Sequence, residues 1–185
     1  MIKAIIFDFD GVIADSDRAE FEAYREAFEK CGVNLTYNEF LKSRGGTGME
    51  LIETILKNKK MSLDREKIYR AKQEIYETII PMIKPFAEII GLIKRLENYK
   101  LAVASSSSSK NMEIMLRKFG VREKFDVVVG SEDIRRGKPD PEVFLLTAEK
   151  LKTQRRNCLV IEDSVVGFKA ARKAGMECIL LDEKP

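Results

Sequence analysis

The chain has no histidine among its 185 residues. That absence excludes a Ser-His-Asp triad, a histidine general base and a histidine-ligated zinc site. Any metal must be held mainly by oxygen, which points to Mg²⁺. Cysteine is scarce: Cys31, Cys158 and Cys178 form no close pair and no metal-ligand spacing. Two of them lie in apolar, strand-like runs, so buried free thiols are expected. No apolar run approaches the roughly 18 residues of a membrane-spanning helix, and the first residues lack a basic segment followed by an apolar signal core. A soluble cytoplasmic protein with no membrane partner is expected. An excess of one charge is also missing. The 33 Lys and Arg against 30 Asp and Glu leave a formal charge of +3, too little to argue for nucleic acid as a binding partner. Lys57-Asn58-Lys59-Lys60 and Arg155-Arg156 read as solvated faces.

What the chain does have is length enough for one buried core, either as one domain or as one domain with an insertion. Its most informative stretch is Ile2-Lys3-Ala4-Ile5-Ile6-Phe7-Asp8-Phe9-Asp10-Gly11-Val12. The apolar run suits a buried strand, and Gly11 reads as the turn out of it. Asp8 and Asp10 lie two residues apart on extended chain and so face the same way. Their mutual repulsion favours a proton or a divalent cation between them. In an open α/β sheet, a loop at the carboxyl end of a strand is where a site is expected. An acidic surface turn is the alternative, and partners farther along the chain must decide.

Helical spacing follows over residues 17 to 31, where Phe21, Tyr24, Phe28 and Cys31 form one stripe and Gly32 the stop. Thr36-Tyr37-Asn38-Glu39 resembles a capping box opening a second helix. Leu51, Ile52, Ile55 and Leu56 mark a third. Ile68, Ile75, Ile79 and Met82 mark a fourth, ending near Pro81 and Pro85. From about residue 86 helices and strands alternate: helix 86–98, strand 100–104, helix 110–119, strand 125–130, helix 141–151, strand 158–162, helix 164–174 and strand 178–182. Such alternation predicts an α/β fold with a parallel sheet and right-handed crossovers. The helical block then reads as an inserted α-helical cap domain, residues 16–82, within a core made of residues 1–15 and 83–185.

The later strands also end in polar residues. Leu101-Ala102-Val103-Ala104 runs into Ser105, whose hydroxyl, with the backbone N–H of Ser106, can hold a phosphate oxygen; capping within the serine run is the alternative. Gly137-Lys138-Pro139-Asp140-Pro141 places a lysine before a helix, with Asp140 as cap and Pro141 at the first position. The ammonium there suits a phosphate partner, although most lysines are simply solvated. Leu159-Val160-Ile161-Glu162-Asp163-Ser164 ends another strand in two acids, which alone suit a turn as well as a metal site. Independent accidents would rarely place Asp8, Asp10, Ser105, Lys138 and Asp163 at successive strand ends. The chemistry this suits is phosphoryl transfer. Hydrolysis of phosphate monoesters is among the slowest uncatalysed reactions, so strong charge neutralisation is needed. One carboxylate can attack phosphorus while the other donates to the leaving oxygen and then activates water.

At these residues the chain resembles the haloacid dehalogenase superfamily, in its phosphatase and β-phosphoglucomutase-like branch with a helical cap after the first strand. Four motifs carry the resemblance: Asp8-Phe9-Asp10-Gly11-Val12; Ser105 after an apolar strand; Gly137-Lys138-Pro139-Asp140-Pro141; and Glu162-Asp163-Ser164 followed by Gly167 and Ala170-Ala171. The resemblance implies a Rossmann-like five-stranded core. It also implies an aspartyl-phosphate on Asp8, and Asp10 as acid/base that gives a backbone carbonyl to Mg²⁺. Asp163 becomes a metal ligand, with Glu162 as a nearer or outer metal partner. Ser105, the Ser106 amide and Lys138 become phosphate contacts. A second aspartate in the first motif speaks against true dehalogenases, which lack that acid/base.

By the same resemblance the cap closes over the site and selects the leaving group. Its candidate specificity residues are Glu20, where mutases of the branch carry a histidine, and Arg44 in Arg44-Gly45-Gly46-Thr47-Gly48, which aligns differently from their substrate-phosphate arginine. Gly48 of that loop and Lys72, near a cap lysine of the branch, complete the set. Arg44 suits either a substrate anion or cap packing. The expected function is a Mg²⁺-dependent phosphatase acting on a small-molecule phosphomonoester such as a sugar phosphate, as a monomer or dimer. A phosphomutase is the alternative within the branch. A non-enzymatic phospho-accepting receiver module is the alternative of another class, but its aspartate would end the third strand, where Val127-Val128-Val129-Gly130-Ser131 has none.

Overall fold

The computed structural model describes residues 1–181. Strand β1 (Ala4–Phe7) is the centre of a five-stranded sheet, and its period-2 alternation sorts its side chains between two interiors. Ile5 and Phe7 join one buried cluster, and Ala4 and Ile6 join the other.

The helices that follow occupy the region predicted for the insertion. A two-residue strand β2 (Ala14–Asp15) leads into α1 (Asp17–Glu29), α2 (Tyr37–Ser43), α3 (Gly48–Asn58) and α4 (Arg65–Ile79). A short turn at Ile80–Met82 then leads to β3 (Lys84–Pro85), which pairs antiparallel with β2. This two-residue ribbon ties the entry of the insertion to its exit. It escaped sequence reading because two residues carry no periodicity.

Beyond it lie α5 (Ala87–Arg95), β4 (Lys100–Ala104), α6 (Ser109–Lys118), β5 (Val127–Val129), α7 (Glu142–Lys150), β6 (Cys158–Glu162), α8 (Val165–Lys173) and β7 (Glu177–Leu180). The sheet order is β5-β4-β1-β6-β7 with every neighbour pair parallel. The alternating α/β expectation therefore holds, with differences at element ends. The strand predicted over 125–130 shortens to Val127–Val129, because the Asp126 carboxylate accepts the Leu101 N–H (2.9 Å) at one end and Gly130 turns away at the other. Helix 86–98 ends at Arg95. Pro141 occupies the cap position of α7, not its first turn, while the Asp140 carboxylate accepts the Glu142 N–H (3.1 Å). Asp182, the last residue of the predicted final strand, lies outside the described residues.

Helices α5 and α6 cover one face through Ile90, Ile93, Met112, Met115 and Leu116. Helices α7 and α8 cover the other through Val143, Phe144, Ala170, Ala171 and Ala174. The insertion builds its own interior from Phe21, Tyr24, Phe28, Phe40, Ile52 and Ile68, and this is continuous with the α5/α6 face. No helix among the described residues is long and apolar enough to cross a membrane.

Within the insertion, Thr36 and Thr47 cap α2 and α3 with reciprocal capping boxes. Glu39 of the first box also meets Lys59 at 2.6 Å, tying the start of α2 to the end of α3. The hydrogen bond from Lys59, followed by those from the Thr36 amide and hydroxyl, pulls the Glu39 carboxyl down to about 2. Thr36→Ala should destabilise the protein by about 1 kcal/mol in urea unfolding. The Glu39 contribution should be fully present above its ordinary value of 4.5 and disappear as pH falls toward 2. Its half-exposed position keeps the effect below about 1 kcal/mol. The urea midpoint of Glu39→Gln should thus lie below wild type at neutral pH, and the two should converge in acid.

Candidate active site

The chain leaves β1 as Asp8-Phe9-Asp10-Gly11, and the Asp8 N–H still donates to the Ile161 carbonyl (2.9 Å) like a strand residue. Its side chain therefore keeps the parity of Ala4 and Ile6 and turns to the α7/α8 side. The loop entering α7 brings Lys138 there, and the end of β6 with the turn after it brings Glu162 and Asp163. Phe9 closes the next loop by accepting the N–H groups of Ile13 (2.8 Å) and Ala14 (3.0 Å), while the Gly11 N–H returns to the Ala14 carbonyl (2.9 Å). Gly11 has φ +80°, and a Cβ there would lie 1.9 Å from Asp163 Oδ2. Glycine is thus required twice over, by conformation and by the neighbouring carboxylate.

Lys138 is 5 % exposed, with its Nζ 2.9 Å from Asp8 Oδ1 and hydrogen-bonded to Glu162 Oε1. Glu162 is fully buried. Its second oxygen accepts from the Asp163 amide (3.1 Å), the Ser164 amide (3.1 Å) and the Ser164 hydroxyl (2.9 Å). Both oxygens are therefore engaged by the protein, and Glu162 holds Lys138 and the turn that carries Asp163. A Cβ on Gly167 would stand 1.8 Å from Glu162 Oε1, which accounts for the glycine in the first turn of α8.

Burial pushes the Asp8 carboxyl well above its ordinary range, and the charges of Glu162, Asp163 and Asp10 push the same way against Lys138. For Glu162 burial also acts upward, but the charge and hydrogen bond of Lys138, with the Ser164 donors, outweigh it and leave the group lowered. Burial lowers Lys138, and Asp8 and Glu162 more than reverse that. The site is thus short of positive charge. Carboxylate oxygens of Asp8, Glu162 and Asp163 lie within 4.8 Å of one another. An all-oxygen donor set of this kind fits a hard divalent cation such as Mg²⁺.

Asp10 has different company. Ser16 Oγ donates to its Oδ1, while Ser107 Oγ (2.5 Å) and Ser105 Oγ (3.3 Å) donate to its Oδ2. Ser105 is placed by β4, its N–H bonded to the Val129 carbonyl (3.1 Å), and its Oγ accepts the Ser107 N–H (3.1 Å). Ser16 and Ser107 were not singled out in the sequence. Within a run of five serines nothing distinguishes Ser107, and Ser16 is a helix cap by composition.

Above these groups lies a cavity of about 310 Å³ whose other wall comes from the insertion, including Glu20, Tyr24, Arg44 and Gly48. Glu20 faces it and meets Lys72 behind (3.2 Å), whose ammonium lies 4.7 and 4.4 Å from the ring centres of Tyr24 and Tyr76. Burial raises Glu20 above its ordinary value; Asp10 adds to this, while Lys72 and Arg44 oppose it. Arg44 is paired with Asp17, a buried residue that sequence reading passed over. A Cβ on Gly48 would lie 2.7 Å from Tyr24 Oη, so glycine lets α3 begin against the cavity wall. The insertion is fastened to the sheet side at two points: Ser106 Oγ donates to the Gly45 carbonyl (3.1 Å), and the Gly137 N–H to Glu50 Oε2 (3.1 Å).

Comparison with known proteins places the chain among relatives of one family. The sequence model of the haloacid dehalogenase-like hydrolases matches residues 5–181. A phosphorylated carbohydrates phosphatase of Thermotoga maritima is 30 % identical over 96 % of this chain and 84 % of that protein. A fructose-1-phosphate phosphatase of Escherichia coli is 29 % identical over 95 % of this chain and 94 % of that protein. The crystal structure of a β-phosphoglucomutase from Clostridium difficile superimposes with a TM-score of 0.86 at 30 % identity, covering 99 % of this chain and 86 % of that one. Since the match runs through every strand of the sheet and every loop that brings an acid, a serine or the lysine to the cavity, the chain belongs to the haloacid dehalogenase-like hydrolase family.

Proposed function

We propose that the protein is a Mg²⁺-dependent phosphatase that hydrolyses a small phosphomonoester, a sugar phosphate by chemical class, through a phosphoryl group carried on Asp8. The observation that carries this is the placement of Lys138 Nζ 2.9 Å from Asp8 Oδ1 at the bottom of a cavity that Asp10 also lines. A cavity of about 310 Å³ suits a phosphate on a body of sugar size better than a polymer. Relatives that act on phosphorylated carbohydrates support the substrate class.

In the proposed sequence an Asp8 oxygen attacks phosphorus as the bond to the leaving oxygen breaks, and the Asp10 carboxyl gives that oxygen its proton. Water then attacks the phosphorus of the Asp8 phosphate and loses a proton to Asp10. The P–O bond to Asp8 breaks, phosphate leaves, and both residues return to their starting states. Lys138, the Ser105 hydroxyl and the Ser106 amide bind the phosphate oxygens. Ser16 and Ser107 hold Asp10 in the rotamer it needs for both proton transfers. When bound at Asp8, Asp163 and the Asp10 carbonyl, Mg²⁺ would offset the acidic cluster and keep Asp8 ionised. Glu162 keeps Lys138 in place from behind. Residues 16–82 act as a cap over the core formed by 1–15 and 83–181, and the close fit of Gly137 under Thr47 belongs to the closed state.

Asp8→Asn should reduce phosphate release from sugar phosphates to background, and Asp10→Asn should slow it by about 10² to 10⁴-fold, while circular dichroism shows both variants folded at the assay temperature. EDTA should abolish release and added Mg²⁺ restore it. Persistent turnover in Asp8→Asn, or in EDTA, would contradict the proposal. At Gly137 a Cβ would lie 2.4 Å from the Thr47 amide nitrogen, so Gly137→Ala must lift the insertion from its seat. Since an ångström of misplacement can cost on the order of 100-fold, kcat/KM for Gly137→Ala should fall by about 10- to 100-fold with little change in melting temperature.

A further inference from the structure

The wall of the cavity supplied by the insertion carries charges that are already paired. Arg44 Nη1 donates to Asp17 Oδ2 (2.9 Å), and its Nη2 lies 2.7 Å from Asp17 Oδ1. The guanidinium thus meets the Asp17 carboxylate through one hydrogen bond and a second close contact between opposite charges. The Asp17 side chain is 7 % exposed and that of Arg44 25 %, so the pair is held largely out of water with Asp17 as its inner member. Beside it Glu20 faces the cavity and shares its charge with Lys72, whose ammonium is kept between the rings of Tyr24 and Tyr76. Lys42, which also lines the cavity, is solvent-exposed and contributes little.

A second phosphate or a carboxylate at this end would face the Glu20 carboxylate and compete with Asp17 for Arg44. Drawing Arg44 away would break a charge pair that is held largely out of water, which costs more than breaking an exposed one. A hydroxyl meets no such opposition. It can donate to Glu20 and accept from Tyr24 or from the remaining N–H groups of Arg44 without disturbing either pair. We infer that Asp17 is a specificity-determining residue: by holding Arg44 it confines the substrate to monophosphates whose leaving group is an uncharged polyol, and it turns away bisphosphates. This rests on the phosphatase reading of the site, in which the reacting phosphate sits at Asp8 and Lys138.

Asp17 also lies in the first turn of α1, where an acid favours the helix on its own account, so the test must separate selection from support. In the Asp8→Asn background, with Mg²⁺ present, a ketohexose 1-phosphate and the corresponding 1,6-bisphosphate are titrated by calorimetry. The parent should bind the monophosphate at least about tenfold more tightly than the bisphosphate. Adding Asp17→Asn should bring the two within a few-fold, by tightening the bisphosphate and not by loosening the monophosphate. Adding Arg44→Gln as well should remove that gain. A parent that prefers the bisphosphate, or an Asp17→Asn that weakens both ligands alike and lowers the melting temperature, overturns the inference. Turnover by otherwise wild-type protein is followed in parallel. A wild type that binds the monophosphate but releases no phosphate counts against the phosphatase reading, while the calorimetric comparison still decides the role of Asp17.

Discussion

The ammonium group of Lys138, enclosed between Asp8 and Glu162, is the interaction on which the site depends. Removing either carboxylate would leave a buried lysine with half its compensation, and removing the lysine would leave two acids close together away from water. Such a cluster persists only when the backbone on all sides is fixed. Gly167 is absent of side chain because Glu162 occupies the space its Cβ would need, and Gly11 because Asp163 does. The amides and hydroxyl after Glu162 spend their donors on its second oxygen. Turning Glu162 into the counter-ion of Lys138 leaves the Asp8 and Asp163 side of the cluster as the place where a cation and a phosphate can meet.

The sheet delivers these groups by simple geometry. β1 is central, so its carboxyl end is flanked by the ends of β4 and β6, and side-chain parity decides which flank each residue addresses. This much was legible in the sequence. An apolar run that ends in Asp8-Phe9-Asp10, with later runs ending in Ser105 and in Glu162-Asp163, already places those residues at one edge if the strands are parallel. The strand and helix order was legible for the same reason: hydrophobic period and length are local properties. Lys138 was legible because glycine and two prolines around it fix a helix entry, although Asp140 and Pro141 sit one position differently from the expected cap.

What could not be read was whatever depends on distant side chains meeting. The β2–β3 ribbon is made of two residues on each side and has no pattern of its own. Ser107 is indistinguishable from its four neighbours until the loop is folded against Asp10. Asp17 and Arg44 are 27 residues apart; Asp17 reads as a helix-end charge and Arg44 as a cap residue with no partner named, and only the packing of α1 against the loop before α3 makes them a pair. Glu20 and Lys72, picked out as cavity residues, prove to be partners of each other, so Lys72 acts through Glu20.

The two aspartates of the first motif illustrate how one loop yields two chemical characters. Asp8 is buried among acids and a lysine, so burial and the neighbouring acids hold its carboxyl above its ordinary range against Lys138, a balance that a cation would shift. Asp10 is set among the hydroxyls of Ser16, Ser105 and Ser107, groups that both donate and accept and so tolerate the carboxyl with or without its proton. In the proposed mechanism the nucleophile must be ionised when it attacks, which for Asp8 calls for a nearby cation, whereas the acid/base must change state twice, for which hydroxyls that both donate and accept are suited. The insertion adds the remaining constraint. Its Gly45 and Glu50 bond to Ser106 and to the amide preceding Lys138, so the cavity wall that would meet a leaving group is tied to the loops that would hold the phosphate. In the proposed reading, recognition at one end of the cavity and alignment at the other are thereby linked through these two hydrogen bonds.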